Sequence, residues 1–380
     1  MDRIYLDNAA TTMAAPEVCA AVEAAMCEFY GNPSSLHGMG VEAERAVNAA
    51  RAAIAGTMSV APERIVFTSG GTEANNMSIL GVCRRKFHGR NARALTTAAE
   101  HPSVLQPYKE VAAGGISVDF APVDSRGLID PAALDALLDN SVALISVTHV
   151  NNETGIVQPV ADIAKLRDRK CPQALLHVDC VQSFGKLDFS PAKAGADLVS
   201  VSAHKIHGPK GIGALYISER AKIVPMLFGG GQEFGLRPGT ENTPAAAGFA
   251  AAVRTAFSSL KANASHVSEL KRLLLAGLER SGVGYVLISD DEQCSPYILS
   301  VSFPGIRAEL MLNKLSGAGI YVSSGAACSS KRAIKTGSHV LAAMGLKQGV
   351  ADGAIRFSFS RYNTAPEIET VLEVLTALKF

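Results

Sequence analysis

The sequence predicts an α/β protein in which a large unit built on a mainly parallel, seven-stranded sheet is joined to a smaller α/β unit. Two patterns predict it. From residue 62 to 217, short runs rich in Val, Ile, Leu and Ala alternate with longer helical patterns, the signature of βαβ units. Beyond a long helical stretch, a second alternation of strands and helices begins near residue 285. Length agrees, since 380 residues is more than twice a typical domain of roughly 150.

The strands are expected, in order, at Arg64–Thr68, Arg93–Thr97, Ile116–Pro122, Val142–His149, Ala174–Asp179, Asp197–Ser202 and Gly211–Ile217. They are short runs rich in apolar residues, several of them ended by Pro, Asp or Ser. Helices fit Pro16–Tyr30, Val41–Met58, Thr72–Phe87, Pro131–Leu138 and Val160–Arg169, several opened by Pro or a small polar residue. Thr243–Arg280 reads as one long helix. The second unit shows strands near Tyr285, at Tyr297–Phe303 and at Ile355–Ser360, with helices at Arg307–Gly317, His339–Met344 and Pro366–Leu378. The expected division is 15–258 for the large domain, with 1–14 and 259–380 forming the small one.

Composition narrows the function. Hydrophobic residues make up 48% and charged residues 19%, which excludes a disordered chain. The 36 basic and 35 acidic residues leave a net charge of +1, with no basic run to hold nucleic acid or an anionic membrane. The longest apolar stretch, Ala245–Val253, is far short of the ~20 residues of a membrane span. The first residues lack the pattern of a secretory signal, so a cytoplasmic location is expected. Seven cysteines without a C-x-x-C pair fit free thiols in a reducing compartment, and no His/Cys spacing predicts a metal site.

In an open parallel sheet ligands bind beyond the carboxyl ends of the strands, and here those positions carry polar groups. Gly70-Gly71-Thr72 follows the first strand and opens a helix, so its N–H groups and hydroxyl could receive a phosphate; a plain Gly-rich turn is the alternative. Asp179 ends the fifth strand, with Gln182 just beyond it. Ser202 ends the sixth, with His204 and Lys205 beyond. A lysine at the end of an apolar strand would have a lowered pKa and is a candidate Schiff-base former, or else a snorkelling or ion-paired lysine. With Asp179 able to keep a pyridine nitrogen protonated, the set fits pyridoxal phosphate (PLP). His101 reads as a cap or core histidine in isolation and as a proton carrier beside such a ring. Cys328 lies among small residues followed by Lys331, Arg332 and Lys335, an electropositive setting that could lower a thiol pKa. Arg356 could hold a carboxylate through its fork.

Taken together, Tyr5–Thr12, Gly31–Ser35, Phe67–Asn76, Glu100–Val104, Val150–Gly155, His177–Asp179, Ser202–Lys205, Gly229–Glu233, Arg237–Asn242, Ser323–Ser330 and Arg356–Ser358 resemble the cysteine desulfurases of the NifS type. These are fold type I PLP enzymes of the class V aminotransferase group, and the match runs almost end to end. The resemblance implies that Lys205 carries PLP, Asp179 meets the ring nitrogen, and Gln182 and Asn152 lie near the ring hydroxyl, with His101 stacked on the ring. It places Gly71, Thr72, Ser202 and His204 at the phosphate, joined by Thr240 from the other subunit of a homodimer. Asn152 and Arg356 would bind the carboxylate of L-cysteine. Cys328, on a loop spanning about 323–337, would take the substrate sulfur as a persulfide for a sulfur-acceptor protein while alanine is released. The implied pathways are iron–sulfur cluster assembly, tRNA thiolation or another thio-cofactor route. A selenocysteine lyase or another PLP lyase or transaminase on this fold is the alternative, ahead of a non-catalytic sulfur carrier. The chain departs from the family in reading Gly325-Ala326-Ala327-Cys328 where Gly-Ser-Ala-Cys is common, in Cys180 directly after Asp179, and in ending at Phe380 without a scaffold-docking extension.

Overall fold

The computed structural model describes residues 3–86, 92–289, 293–324 and 337–378. In chain order its strands are β1 (Ile4–Tyr5), β2 (Ile65–Thr68), β3 (Arg93–Thr97), β4 (Ser117–Ala121), β5 (Val142–Thr148), β6 (Leu175–Asp179), β7 (Leu198–Ser202), β8 (Gly213–Ile217), β9 (Val286–Leu287), β10 (Ile298–Ser302), β11 (Ile320–Tyr321), β12 (Ser323–Ser324) and β13 (Ala354–Ser358). Seven of them form one sheet in the order β2-β8-β7-β6-β5-β3-β4. β8 is antiparallel to both β2 and β7, and the remaining pairs are parallel. Since two reversals cancel, β2 runs the same way as β3, β4, β5, β6 and β7, and six carboxyl ends point to one edge of the sheet.

The sheet is covered on both faces, which explains why its strands are continuous apolar runs rather than alternating ones. Ile65 and Phe67 face one core with Val199, Val201 and the helices Pro16–Cys27, Gly38–Met58 and Thr243–Ser258. Val66 faces a second core with Leu198, Leu215 and the helices Gly71–Lys86 and Pro102–Ala113. The helix Gly38–Met58 buries Ala43, Val47, Ala50, Ile54 and Met58, the stripe expected of a period near 3.6. A separate core gathers Ile4 and Leu6 with Val267, Leu274, Leu299, Phe357 and Leu375. It lies on the antiparallel sheet β12-β13-β10-β9, beside the parallel pair β1–β11. The N-terminal strand is therefore packed with the C-terminal third of the chain.

Most expected elements appear with boundaries moved by one to three residues. Two differ in kind. The single helix expected over Thr243–Arg280 is two, Thr243–Ser258 and Leu260–Ser281, broken at Ser259 with φ −120° and ψ 17°. The break separates a segment that packs on the large sheet from one that packs in the third core, so no straight helix serves both. The helix Pro102–Ala113 has no counterpart among the expected elements, because Pro107 inside it removes a helical donor.

One ion pair ties the layers near the rim. Arg51 Nη1 and Nη2 lie 2.8 and 2.7 Å from the two Glu233 oxygens, Arg51 Nη1 also donates to the Ile65 carbonyl, and Phe67 N–H donates to Glu233. Both side chains are buried. Removing one partner leaves the other charge buried alone, so Arg51→Met should destabilise the fold by about 3–5 kcal/mol. The check is the urea unfolding midpoint, with Arg51→Met/Glu233→Gln expected to recover part of the loss.

Candidate active site

A cavity of about 360 Å³ opens at the rim where β5, β6 and β7 end. β7 runs into a tight 3-10 turn, Ala203–Lys205, which turns the lysine into the cavity; Lys205 Nζ donates to the carbonyls of Ala9 and Ala10 at 2.6 and 2.7 Å. β6 delivers Asp179 to the wall. One Asp179 oxygen accepts from Val181 N–H at 2.9 Å and the other from Asn75 Nδ2 at 2.7 Å. These donors hold the carboxylate facing the cavity, while Gln182, one turn on, donates from Nε2 to Ala9 O at 2.8 Å.

At one end, Gly71 and Thr72 begin the helix Gly71–Lys86 opposite Ser202 and His204. A Cβ on Gly71 would sit 2.5 Å from Val181 Cγ2, so only glycine permits this approach of helix to loop. Ser202 Oγ is buried without a hydrogen-bond partner, an arrangement that leaves a hydroxyl ready for a ligand oxygen. His204 Nδ1 is 3.1 Å from Thr11 Oγ1, and burial together with the positive Lys205 lowers its pKa to about 4. A helix N-terminus, a free hydroxyl and a neutral imidazole make a cup suited to a phosphate. Lysine, carboxylate and cup together fit a phosphorylated pyridine aldehyde. Among the described residues, no group of three or more His, Cys, Asp or Glu could hold a metal ion, and no helix is long and apolar enough to cross a membrane.

A family model described as aminotransferase class-V matches residues 4–371. The chain belongs to that family. It is 38% identical over 380 residues to a cysteine desulfurase of Nostoc sp., covering 99% of this chain and 92% of that one. Among solved structures it is similar to a NifS-like protein, with TM-score 0.93, 40% identity and 99% of both chains covered. It is also similar to a structure titled SspA in complex with cysteine, with TM-score 0.82 and 31% identity over 95% of this chain and 100% of that one.

Of the residues singled out in this class-V chain, Gly71, Thr72, His101, Asn152, Asp179, Gln182, Ser202, His204 and Lys205 all line the one cavity. Thr240 does not; it is exposed. Arg356 lies behind the wall, fully buried on β13, with Nη1 donating to Asn152 O at 2.6 Å and Nη2 paired with Asp7 at 2.8 Å. Cys328 lies outside the described residues. Cys180 is buried, and burial pushes its thiol well above the ordinary range, opposite to what a nucleophile needs. Of the other histidines, His37 caps the helix Gly38–Met58, His149 packs on Phe189, and His207 binds the Met13 carbonyl.

Three site features escaped sequence reasoning. Lys186 is buried behind the cavity, 3.5 Å from Gln182 Oε1; burial, then Lys205 and Arg356, lowers its pKa to about 7. Glu100 is buried beside Thr97 and pushed up to about 8 by loss of solvent. Asn75 bridges Asp179 and Ser103. Lys186 looks like a surface residue in sequence; Glu100 stands in the segment Glu100–Val104 beyond the second expected strand, where only His101 carries an expected role; the signal for Asn75 is its place on the helix that opens with Gly71.

Proposed function

We propose that the chain is a PLP-dependent L-cysteine desulfurase that yields L-alanine and passes sulfur to an acceptor thiol. The observation that carries this is the convergence of Lys205, Asp179 and the Gly71–Thr72–Ser202–His204 cup in one cavity. Similarity over nearly the full chain to a cysteine desulfurase supports it. PLP, when bound, supplies an aldehyde for an amino group and an electron sink for charge developed at the substrate Cα.

The protein's own residues do the rest. Lys205 provides the amine that holds the cofactor and then takes the proton from the substrate Cα. Asp179, fixed by its two N–H donors, keeps a proton on the ring nitrogen. Gly71, Thr72, Ser202 and His204 hold the phosphate, with Thr240 serving the cup of a second copy in a homodimer. Gln182 and Asn152 meet the ring hydroxyl, and His101 covers the ring face and excludes water. The Arg356 guanidinium, with Asn152, holds the substrate carboxylate in exchange for Asp7. The Cys328 thiolate attacks the substrate sulfur: a S–S bond forms, the Cβ–S bond breaks and leaves its electron pair to the carbon side, and one proton added at Cβ and one returned to Cα complete alanine. A second thiol then takes the outer sulfur. The two lobes are read as 15–258 and 1–14 with 259–380, as the separation of their cores suggests. Free cysteines fit a cytoplasmic location, where an acceptor protein would feed iron–sulfur clusters or thiolated cofactors.

The test is to give the PLP-loaded protein L-cysteine and a reducing thiol and quantify sulfide and alanine together. Equimolar release is expected. PLP binding with neither product would overturn the assignment and move it to selenocysteine or another amino acid.

A further inference from the structure

Asn75 is fully buried on the helix Gly71–Lys86. Its Nδ2 donates to Asp179 at 2.7 Å and to Ser103 Oγ at 2.8 Å. A carboxylate only accepts, so its contact fixes which end of the amide faces it, and both amide hydrogens are then used. Ser103 Oγ receives one of them. The hydroxyl's own proton is therefore available for His101 Nδ1, 2.7 Å away. Ser103 N–H donates to that same nitrogen at 3.1 Å, making His101 the N-cap of the helix Pro102–Ala113. A ring nitrogen that receives a backbone N–H carries no proton, so neutral His101 must hold its proton on Nε2.

We propose that Asn75 and Ser103 are positioning residues that lock His101 as its Nε2–H tautomer and fix its ring relative to the Asp179 carboxylate. The consequence for turnover rests on the desulfurase reading; the tautomer does not. Protonating Nδ1 would set its N–H against the Ser103 N–H, donor against donor, so the relay disfavours imidazolium. Burial opposes the charged form of His101 most; of the charged and titratable groups facing it, Asp179 at the end of β6 favours that form, and Lys205 and His339 oppose it. His101 is thus kept as a neutral ring that offers an N–H and has its other nitrogen committed to the helix.

The experiment is long-range ¹H–¹⁵N correlation on histidine-labelled, PLP-loaded full-length protein, with His101 assigned by the signals lost in His101→Gln. The wild type should show a protonated Nε2 and a hydrogen-bonded, unprotonated Nδ1. Ser103→Ala removes one donor to Nδ1, so that resonance should move toward a free pyridine-type nitrogen and the His101 pKa should rise by about half a unit to one unit. Asn75→Ala should move both in the same direction by less, and Ser103→Thr, which keeps the hydroxyl, should restore them. With cysteine, kcat should fall in the alanine variants more than KM changes. A protonated Nδ1 in the wild type, or shifts and pKa unchanged in both alanine variants, would overturn the inference. The wild-type tautomer and its variant shifts in a protein that releases no sulfide would support the inference while sinking the desulfurase reading.

Discussion

Lys205→Ala should lower cysteine turnover by at least about 10³-fold and abolish borohydride-dependent fixation of PLP to the protein. The size follows from two losses. A positioned general base contributes typically 10²–10⁴-fold, and the same amine is the proposed covalent anchor. Among the described residues no other lysine lines this cavity. Lys186 is the other amine close behind the cavity, but it sits against Gln182 and the Tyr297 ring rather than among the lining residues. Lys205 Nζ is also held by the Ala9 and Ala10 carbonyls, but its loss leaves the N-terminal segment tied to the turn after β7 through Thr12, which bonds His204 and His207. The variant should still bind PLP non-covalently through the cup, visible as absorbance that dialysis removes. Sulfide release within tenfold of wild type would show that Lys205 is not the base.

The parts of the site that could be read from the sequence are those fixed by strand ends. β5, β6 and β7 are apolar runs that stop at a polar residue, so their last positions place Asp179, Ser202 and Lys205 at one rim whatever the details of packing. Gly71 was legible for a similar reason, since a Gly-Gly-Thr turn from a strand into a helix offers free N–H groups beyond the strand end; its close approach to Val181 was not. What could not be read depends on distant packing. Arg356 looks like a single arginine in a strand, and its partners Asp7 and Asn152 lie hundreds of residues away. Asn75 is one polar residue inside a helix, and its role exists only because Asp179 and Ser103 arrive on other elements. The break at Ser259 was hidden because the helical pattern continues through it while the core it faces changes. Local pattern specifies an element; which core it serves is a tertiary fact.

Cys328→Ala should abolish persulfide formation from L-cysteine while leaving PLP binding and the cofactor spectrum unchanged. Lys205, Asp179 and the cup all line the cavity, so an amino acid could be bound and its α-proton moved without this thiol. Sulfur transfer is different, because breaking the Cβ–S bond as proposed needs a nucleophile to accept the sulfur. Two of the other cysteines are poor substitutes: burial pushes Cys83 up to about 12 and Cys171 to about 11, and neither is a thiolate near neutral pH. Cys180, nearest to Asp179 in sequence, is shifted the same way and lies beneath the strand ends. The variant should therefore exchange the substrate α-proton for deuterium from solvent yet release no sulfide, which separates proton movement at Cα from sulfur transfer. Full sulfide release by Cys328→Ala would remove it as the acceptor and leave the cavity chemistry intact, pointing to direct elimination of the substrate sulfur.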